Sequence, residues 1–235
     1  MLYLGVAINA WRERERAARR GLIVTTARTL AEAEGWDAVT TRRLSSEMKY
    51  SQPVLYKHFG GMGRVAEAVA VDGFDELAQA IRAARCAADP SDHADDALTR
   101  VARAYLDFAH DNPAVYEAMF TRATTLSFGA QDIPPQLTAA FAELRLAVVV
   151  VDDGHDADAL TEVVFAALHG LVALSGVGRL RLRADRVQLL VEQFTSARRR
   201  TLSCQADAQR RWRYRVPSMA TLTRTASPMP APMPT

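Results

Sequence analysis

Apolar residues recur every three or four positions along most of this chain, the period of helices with one buried face. Ile23, Ala27, Leu30 and Ala31 mark a long helix over 12–34, and Gly35 ends it. Trp36 and Val39 then plug a small core. Thr40 is placed to cap a short helix reaching Met48, with Leu44 and Met48 on its apolar side. Lys49-Tyr50 makes a tight turn. Ser51 caps a second short helix whose first turn holds Pro53, where a missing N–H costs nothing. Leu55 and Phe59 point inward from it. A fourth helix follows Gly60-Gly61-Met62-Gly63 and runs through Val65, Val69, Leu77 and Ile81 to about residue 85.

After a break at 88–91, which contains Pro90, the helical period returns over 92–111 with Leu98, Val101, Tyr105 and Phe108 inward. Asn112-Pro113 starts a helix carrying Val115, Tyr116, Met119 and Phe120. Residues 124–133 read as a loop. Pro134-Pro135 opens a helix with Leu137, Phe141, Leu144 and Val148. Asp152 to Asp156 is a polar turn whose acids cap an apolar helix over 158–177, and a last helix spans 183–200. The expected fold is all-α: an N-terminal three-helix head with a helix-turn-helix, on a larger helical body.

Charge divides the chain the same way. The net charge of +2 and hydrophobic content of 49% describe a globular protein. Residues 12–64, however, hold eleven Lys and Arg against six Asp and Glu. Residues 65–197 hold ten against twenty, and residues 198–235 hold eight against one. A basic head on an acidic body suits a head that meets nucleic acid. Arginine outnumbers lysine 27 to 2, as in GC-rich bacterial genomes, and both lysines, Lys49 and Lys57, fall in the helix-turn-helix. Cys86 and Cys204 lie outside any metal or redox spacing and read as plain thiols of a reducing cytoplasm. No apolar run is expected to reach the length of a membrane helix. MLYLGVAINAW lacks the basic start of a signal peptide and reads as an extension. No cofactor or metal motif stands out. Gly60–Gly63 follows no strand, so it is not a dinucleotide loop, and the acids at 152–156 lack a second ligand group.

The second short helix carries the chemistry. Gln52, Pro53, Tyr56 and Lys57 share the face opposite Leu55 and Phe59. An amide suited to adenine, an aromatic hydroxyl and a cation on one exposed face are what a recognition helix needs in the major groove. Thr40-Thr41-Arg42-Arg43-Leu44 followed by Ser51-Gln52-Pro53-Val54-Leu55-Tyr56-Lys57-His58-Phe59 resembles the helix-turn-helix of the tetracycline-repressor-like (TetR) family. Three positions depart from that pattern: Lys49 stands where glycine is usual, Tyr50 replaces a small aliphatic residue, and Met62 replaces a lysine. A left-handed Lys49 would cost roughly 1–2 kcal/mol. Ala104 to Ala109 with Asn112-Pro113-Ala114, and Leu168-His169-Gly170-Leu171, resemble a C-terminal domain type carrying a His-Gly pair.

The resemblance implies a homodimeric, cytoplasmic, non-enzymatic transcriptional regulator, with a repressor released by a small apolar effector as the favoured form. Arg42 and Gln52 would read base edges. Pro53 and Val54 would meet thymine methyls or backbone. Thr41, Tyr56, Lys57 and His58 would hold phosphates beside Ser51 and the helix start at Gly61. The partner would be a palindromic double-stranded operator with half-sites ~34 Å apart or a multiple of it. Arg16, Arg19 and Arg20 are either a basic arm or a solvated helix start. The helices over 158–177 and 183–200 are more apolar than one buried face requires and are expected to pair with those of a second copy, Gly170 and Gly176 allowing close approach. Tyr105, Met119, Phe120, Phe141 and His169 are the candidate effector contacts, against the plainer reading of a packed core with a satisfied histidine. The expected organisation is an extension over 1–15, a DNA-binding domain over 16–64, an effector-binding and dimerisation domain over 65–202, and a basic, Pro-rich tail over 203–235. The alternative is a helical interaction protein with only non-specific DNA binding.

Overall fold

The computed structural model describes residues 2–87, 94–122, 134–150, 156–181 and 185–194. The expected break at 88–91, the loop at 124–133, most of the 152–156 turn and the tail from 203 lie outside the described residues. Among those described, the regular elements are helices: α1 (Leu2–Glu34), a 3-10 turn (Trp36–Ala38), α2 (Thr41–Met48), α3 (Gln52–Phe59), α4 (Met62–Cys86), α5 (Ala94–Asp111), α6 (Pro113–Phe120), α7 (Pro135–Val149) and α8 (Ala157–Gly176). A ninth, α9, covers residues 185–194.

The head is α1 to α3, closed over Ile23, Ala27, Leu30, Leu44, Leu55 and Phe59, all buried. Helix α1 begins at Leu2, not near Arg12 as the sequence suggested. The segment before Arg12 has no proline, and Leu2, Leu4, Ala7 and Ala10 are good helix formers. Thr40 caps α2 by accepting the Arg43 N–H at 3.2 Å. Lys49 closes α2 in the left-handed conformation, φ 56° and ψ 32°. Ser51 occupies the N-cap position of α3 but its hydroxyl makes no capping bond, so the expected cap is positional only. Gly60 ends α3 with φ 70°.

Helix α4 is the axis of the molecule. Its head end follows α3, and its body end is wrapped by α5, α6 and α7. Gly73 lets α6 approach closely: a Cβ there would sit 2.4 Å from Val115 Cγ1 and 2.8 Å from Met119 Sδ. On α7, the buried Glu143 receives Arg82 Nε and Arg85 Nη2, each at 2.8 Å, and so fastens α7 to α4. Burial pushes the Glu143 carboxyl up, but the hydrogen bonds and charges of Arg85 and Arg82 outweigh it and hold it below the usual value.

The head is joined to the body through the start of α6. Glu32 of α1 accepts the Ala114 and Val115 N–H groups, both at 3.0 Å, and so caps α6 from another helix. The Trp36 indole N–H donates to the Ala114 carbonyl at 2.7 Å. Arg28 pairs with Glu76 on α4 and donates to Asn112 Oδ1 at 2.8 Å. Trp36 therefore belongs to this joint as well as to the head core.

One expectation fails in α8. Its 20 residues are long and apolar enough, by length and composition, to cross a membrane, though only 17% of it is buried. Glu162 and His169 interrupt the run but do not offset the valines, leucines and alanines around them. Val163, Leu174 and Val177 remain exposed, as does Leu189 on α9.

Candidate nucleic-acid interface

Helix α3 is held by Leu55 and Phe59, whose burial against α1 turns the other face outward. Gln52, Pro53, Tyr56 and Lys57 are exposed there, Tyr56 at 54% despite its ring. Val54 and His58 are half-buried at the edge of that face. Ser51 is exposed at its start.

Two further elements frame α3. On α2, Arg42 is exposed and has no ion pair among the described residues, whereas its neighbour Arg43 is held by Glu34 at 2.9 Å and Glu47 at 3.2 Å. The two adjacent arginines thus differ: Arg43 is tied to the fold and Arg42 is available. On the other flank, Thr41, Tyr56, Gly61 and Met62 border one shallow crevice. The N-terminus of α4 opens there with no side-chain cap, so its N–H groups suit a phosphate oxygen. His58 sits in a positive surround. Burial, then Arg19, Lys57, Arg16 and Arg20, lower its pKa.

The body holds an apolar cavity of about 220 Å³ between α4, α5, α6, α7 and α8. Tyr105, Phe120 and Phe141 line it, together with Phe74, Leu137 and Phe165. Its one charged lining residue among those described is Glu162. Beside it runs a polar chain. The Tyr105 and Tyr116 hydroxyls are 2.8 Å apart, and the Tyr116 hydroxyl is 2.7 Å from His169 Nδ1. Burial raises both tyrosines far above their ordinary value and lowers His169.

Residues 23–69 match the profile of bacterial regulatory proteins of the tetR family, and residues 98–197 match the tetracyclin repressor-like C-terminal domain. The HTH-type transcriptional regulator Rv0681 of Mycobacterium tuberculosis is 32% identical over 164 residues, 68% of this chain and 71% of that protein. The chain belongs to the TetR family. A shorter match joins it to the HTH-type transcriptional regulator YobS of Bacillus subtilis, 34% identical over 101 residues, 41% of this chain and 49% of that one. Among solved structures, a protein of unknown function from Rhodococcus sp. RHA1 superposes with a TM-score of 0.60 at 25% identity, covering 76% of this chain and 94% of that one.

Within this TetR frame the candidate head residues fall together: Arg42, Gln52, Pro53, Tyr56 and Lys57 on one exposed surface, with Thr41, Gly61, Val54 and His58 at its edges. The candidate effector set divides. Tyr105, Phe120 and Phe141 border the cavity, while Met119 is buried against Gly73 and His169 lies behind Phe120 and Phe165, with ring centres 5.2 and 6.0 Å away. Phe74, Leu77, Ile81, Leu137, Ala140, Leu144, Glu162 and Phe165 were missed. They come from three helices, α4, α7 and α8, at ordinary core spacing, and no sequence signal separates a cavity wall from a filled core.

Proposed function

We propose that this TetR-family regulator acts as a homodimer that reads a palindromic operator through α3. The observation that carries the reading is the exposed Gln52-Pro53-Tyr56-Lys57 face braced on buried Leu55 and Phe59. Arg42 and Gln52 read base edges, and Pro53 and Val54 meet thymine methyls or backbone. Thr41, Ser51, Tyr56, Lys57 and His58 hold phosphates with the α4 start at Gly61. Such a protein works in the cytoplasm, where the DNA is.

The exposed apolar residues of α8 and α9 favour pairing with a second copy. Gly170 and Gly176 have no neighbour within 4 Å of an added Cβ, which leaves room for a partner helix. The 220 Å³ cavity suits a small, mainly apolar effector bordered by Tyr105, Phe120 and Phe141. We read His169-Gly170 as the mark of a particular body type, in which His169 acts by holding Tyr116 rather than by touching the effector. Occupying the cavity would shift the packing of α4 and release DNA. A coupling of only ~1–3 kcal/mol is enough.

The alternative, an interaction protein with non-specific DNA binding, loses one of its supports. Lys49 takes the left-handed backbone that a glycine in this turn would take. The deciding experiment is binding of the purified chain to DNA upstream of its own gene and its neighbours, with competitor DNA and at two salt concentrations. Saturable binding to one fragment, weakened by the Gln52→Ala/Tyr56→Ala double variant, is the expected result. Binding that is only non-specific and steeply salt-dependent would return the alternative.

A further inference from the structure

Ahead of the three-helix core, α1 continues as an arginine-rich rod. Arg12, Arg14, Arg16, Arg19 and Arg20 are all exposed. This stretch precedes residues 23–69, where the chain follows the family profile. Arg20 is committed to the head: it lies over the Phe59 ring, 4.1 Å from its centre, and donates to the His58 carbonyl at 3.1 Å. Arg19 pairs with Glu15. Arg12 and Arg16 have no acidic partner among the described residues.

Those two arginines border one groove with Arg19, Val54, Lys57 and His58. Glu15, the one acid there, is held by Arg19. The groove makes the edge of α3 and the N-terminal part of α1 a single cationic surface. The lowered pKa of His58, caused by burial and then by Arg19, Lys57, Arg16 and Arg20, reports the same field. Cations that outnumber the one acid among them suit a polyanion, and the guanidinium fork suits phosphate in particular. Their position at the edge of the recognition helix makes the polyanion the duplex that α3 enters. At ~1.5 Å per residue, Arg12 lies ~12 Å beyond Arg20 along α1. That is a reach of roughly three to four phosphates along one strand at ~3.4 Å each.

We propose that the N-terminal part of α1, through Arg12 and Arg16, is a second DNA-binding surface that clamps the phosphate backbone flanking the half-site occupied by α3. It rests on the reading of α3 as recognition helix in a dimer. It adds affinity and site length rather than sequence choice, because phosphate contacts carry no base code.

The test uses the full chain and a duplex selected with it from random-sequence DNA. Binding is compared on the minimal selected duplex and on the same duplex with about five further base pairs on each side, at about 50 and 200 mM salt. The wild type binds the longer duplex more tightly. Arg12→Ala/Arg16→Ala keeps the selected sequence but gains little from the flanks. Losing four phosphate contacts per dimer lowers the salt slope by about 3.6, so the wild type loses roughly a hundredfold more affinity than the variant between the two salts. Arg14, about 200° from Arg12 around the helix and donating to the Ala10 carbonyl at 3.2 Å, is the control. Arg14→Ala leaves both readouts unchanged. An unaltered slope and flank effect in the double variant overturns the clamp while leaving the α3 reading intact, and so does an equal change in Arg14→Ala. If no sequence is enriched, or Gln52→Ala/Tyr56→Ala binds like wild type, the α3 reading falls and the clamp with it.

Discussion

Lys49 and His58 show how single side chains carry the head's chemistry. Lys49 holds φ 56° in the turn between α2 and α3, a conformation that costs a residue with a Cβ roughly 1–2 kcal/mol. Lys49→Gly should therefore stabilise the free protein by about 1 kcal/mol, seen as a higher urea midpoint with an unchanged slope. A lower midpoint would mean that the lysine side chain contributes more than the strain costs. Burial, then Arg19, Lys57, Arg16 and Arg20, lower the pKa of His58 in the free protein. Phosphates placed there would offset those cations and raise its pKa in the complex. Binding then takes up a proton, so affinity rises as pH falls below the ordinary imidazole value of about 6.5 and is flat well above it. Titrating DNA binding across that range should show the rise in wild type and its loss in His58→Gln. A flat profile in both would remove His58 from the contact set.

At the scale of elements, the close approach of α6 to α4 depends on one missing methyl group. Gly73→Ala must displace both Val115 and Met119, and overpacking of this kind costs about 1–3 kcal/mol. Denaturant unfolding of the variant would measure it. A neutral result would show that the two helices separate freely. The joint between head and body is a different kind of contact, made of charge and hydrogen bonds. Glu32→Ala leaves the Ala114 and Val115 N–H groups without their acceptor, at a cost of roughly 1–3 kcal/mol. Proteolysis should then cut near the start of α6 faster than in wild type, and an unchanged digestion pattern would argue against the joint. Because α6 also carries Phe120 to the cavity wall, this joint is a direct physical link between the proposed effector site and the head.

For the whole molecule, the property to test is the proposed pairing with a second copy. Helix α8 leaves Val163 and Leu174 exposed in one chain, and Val177 just past its end is exposed as well. A second copy covering α8 and α9, as proposed above, would account for that surface. Val163→Glu/Leu174→Glu should convert the dimer to a monomer in sedimentation velocity without loss of helical signal. The same variant should bind operator DNA far more weakly, because one head reads only one half-site. A wild-type chain that sediments as a monomer would refute the pairing outright.

Thr40 as a cap, the inward Leu44, Leu55 and Phe59, the outward Gln52, Tyr56 and Lys57, and the arrest at Gly35 all follow from neighbours a few residues apart. Capping and helical period are local physics, so they are legible in the order of residues. The same locality explains why most helices were legible to within a few residues. Three features needed the folded chain. Arg42 and Arg43 are indistinguishable in sequence, and distant Glu34 helps commit one of them to the fold. Glu32, Trp36 and Arg28 meet the start of α6 from about eighty residues away. The cavity exists because side chains from five helices stop short of one another, and what fails to touch is set by packing in three dimensions.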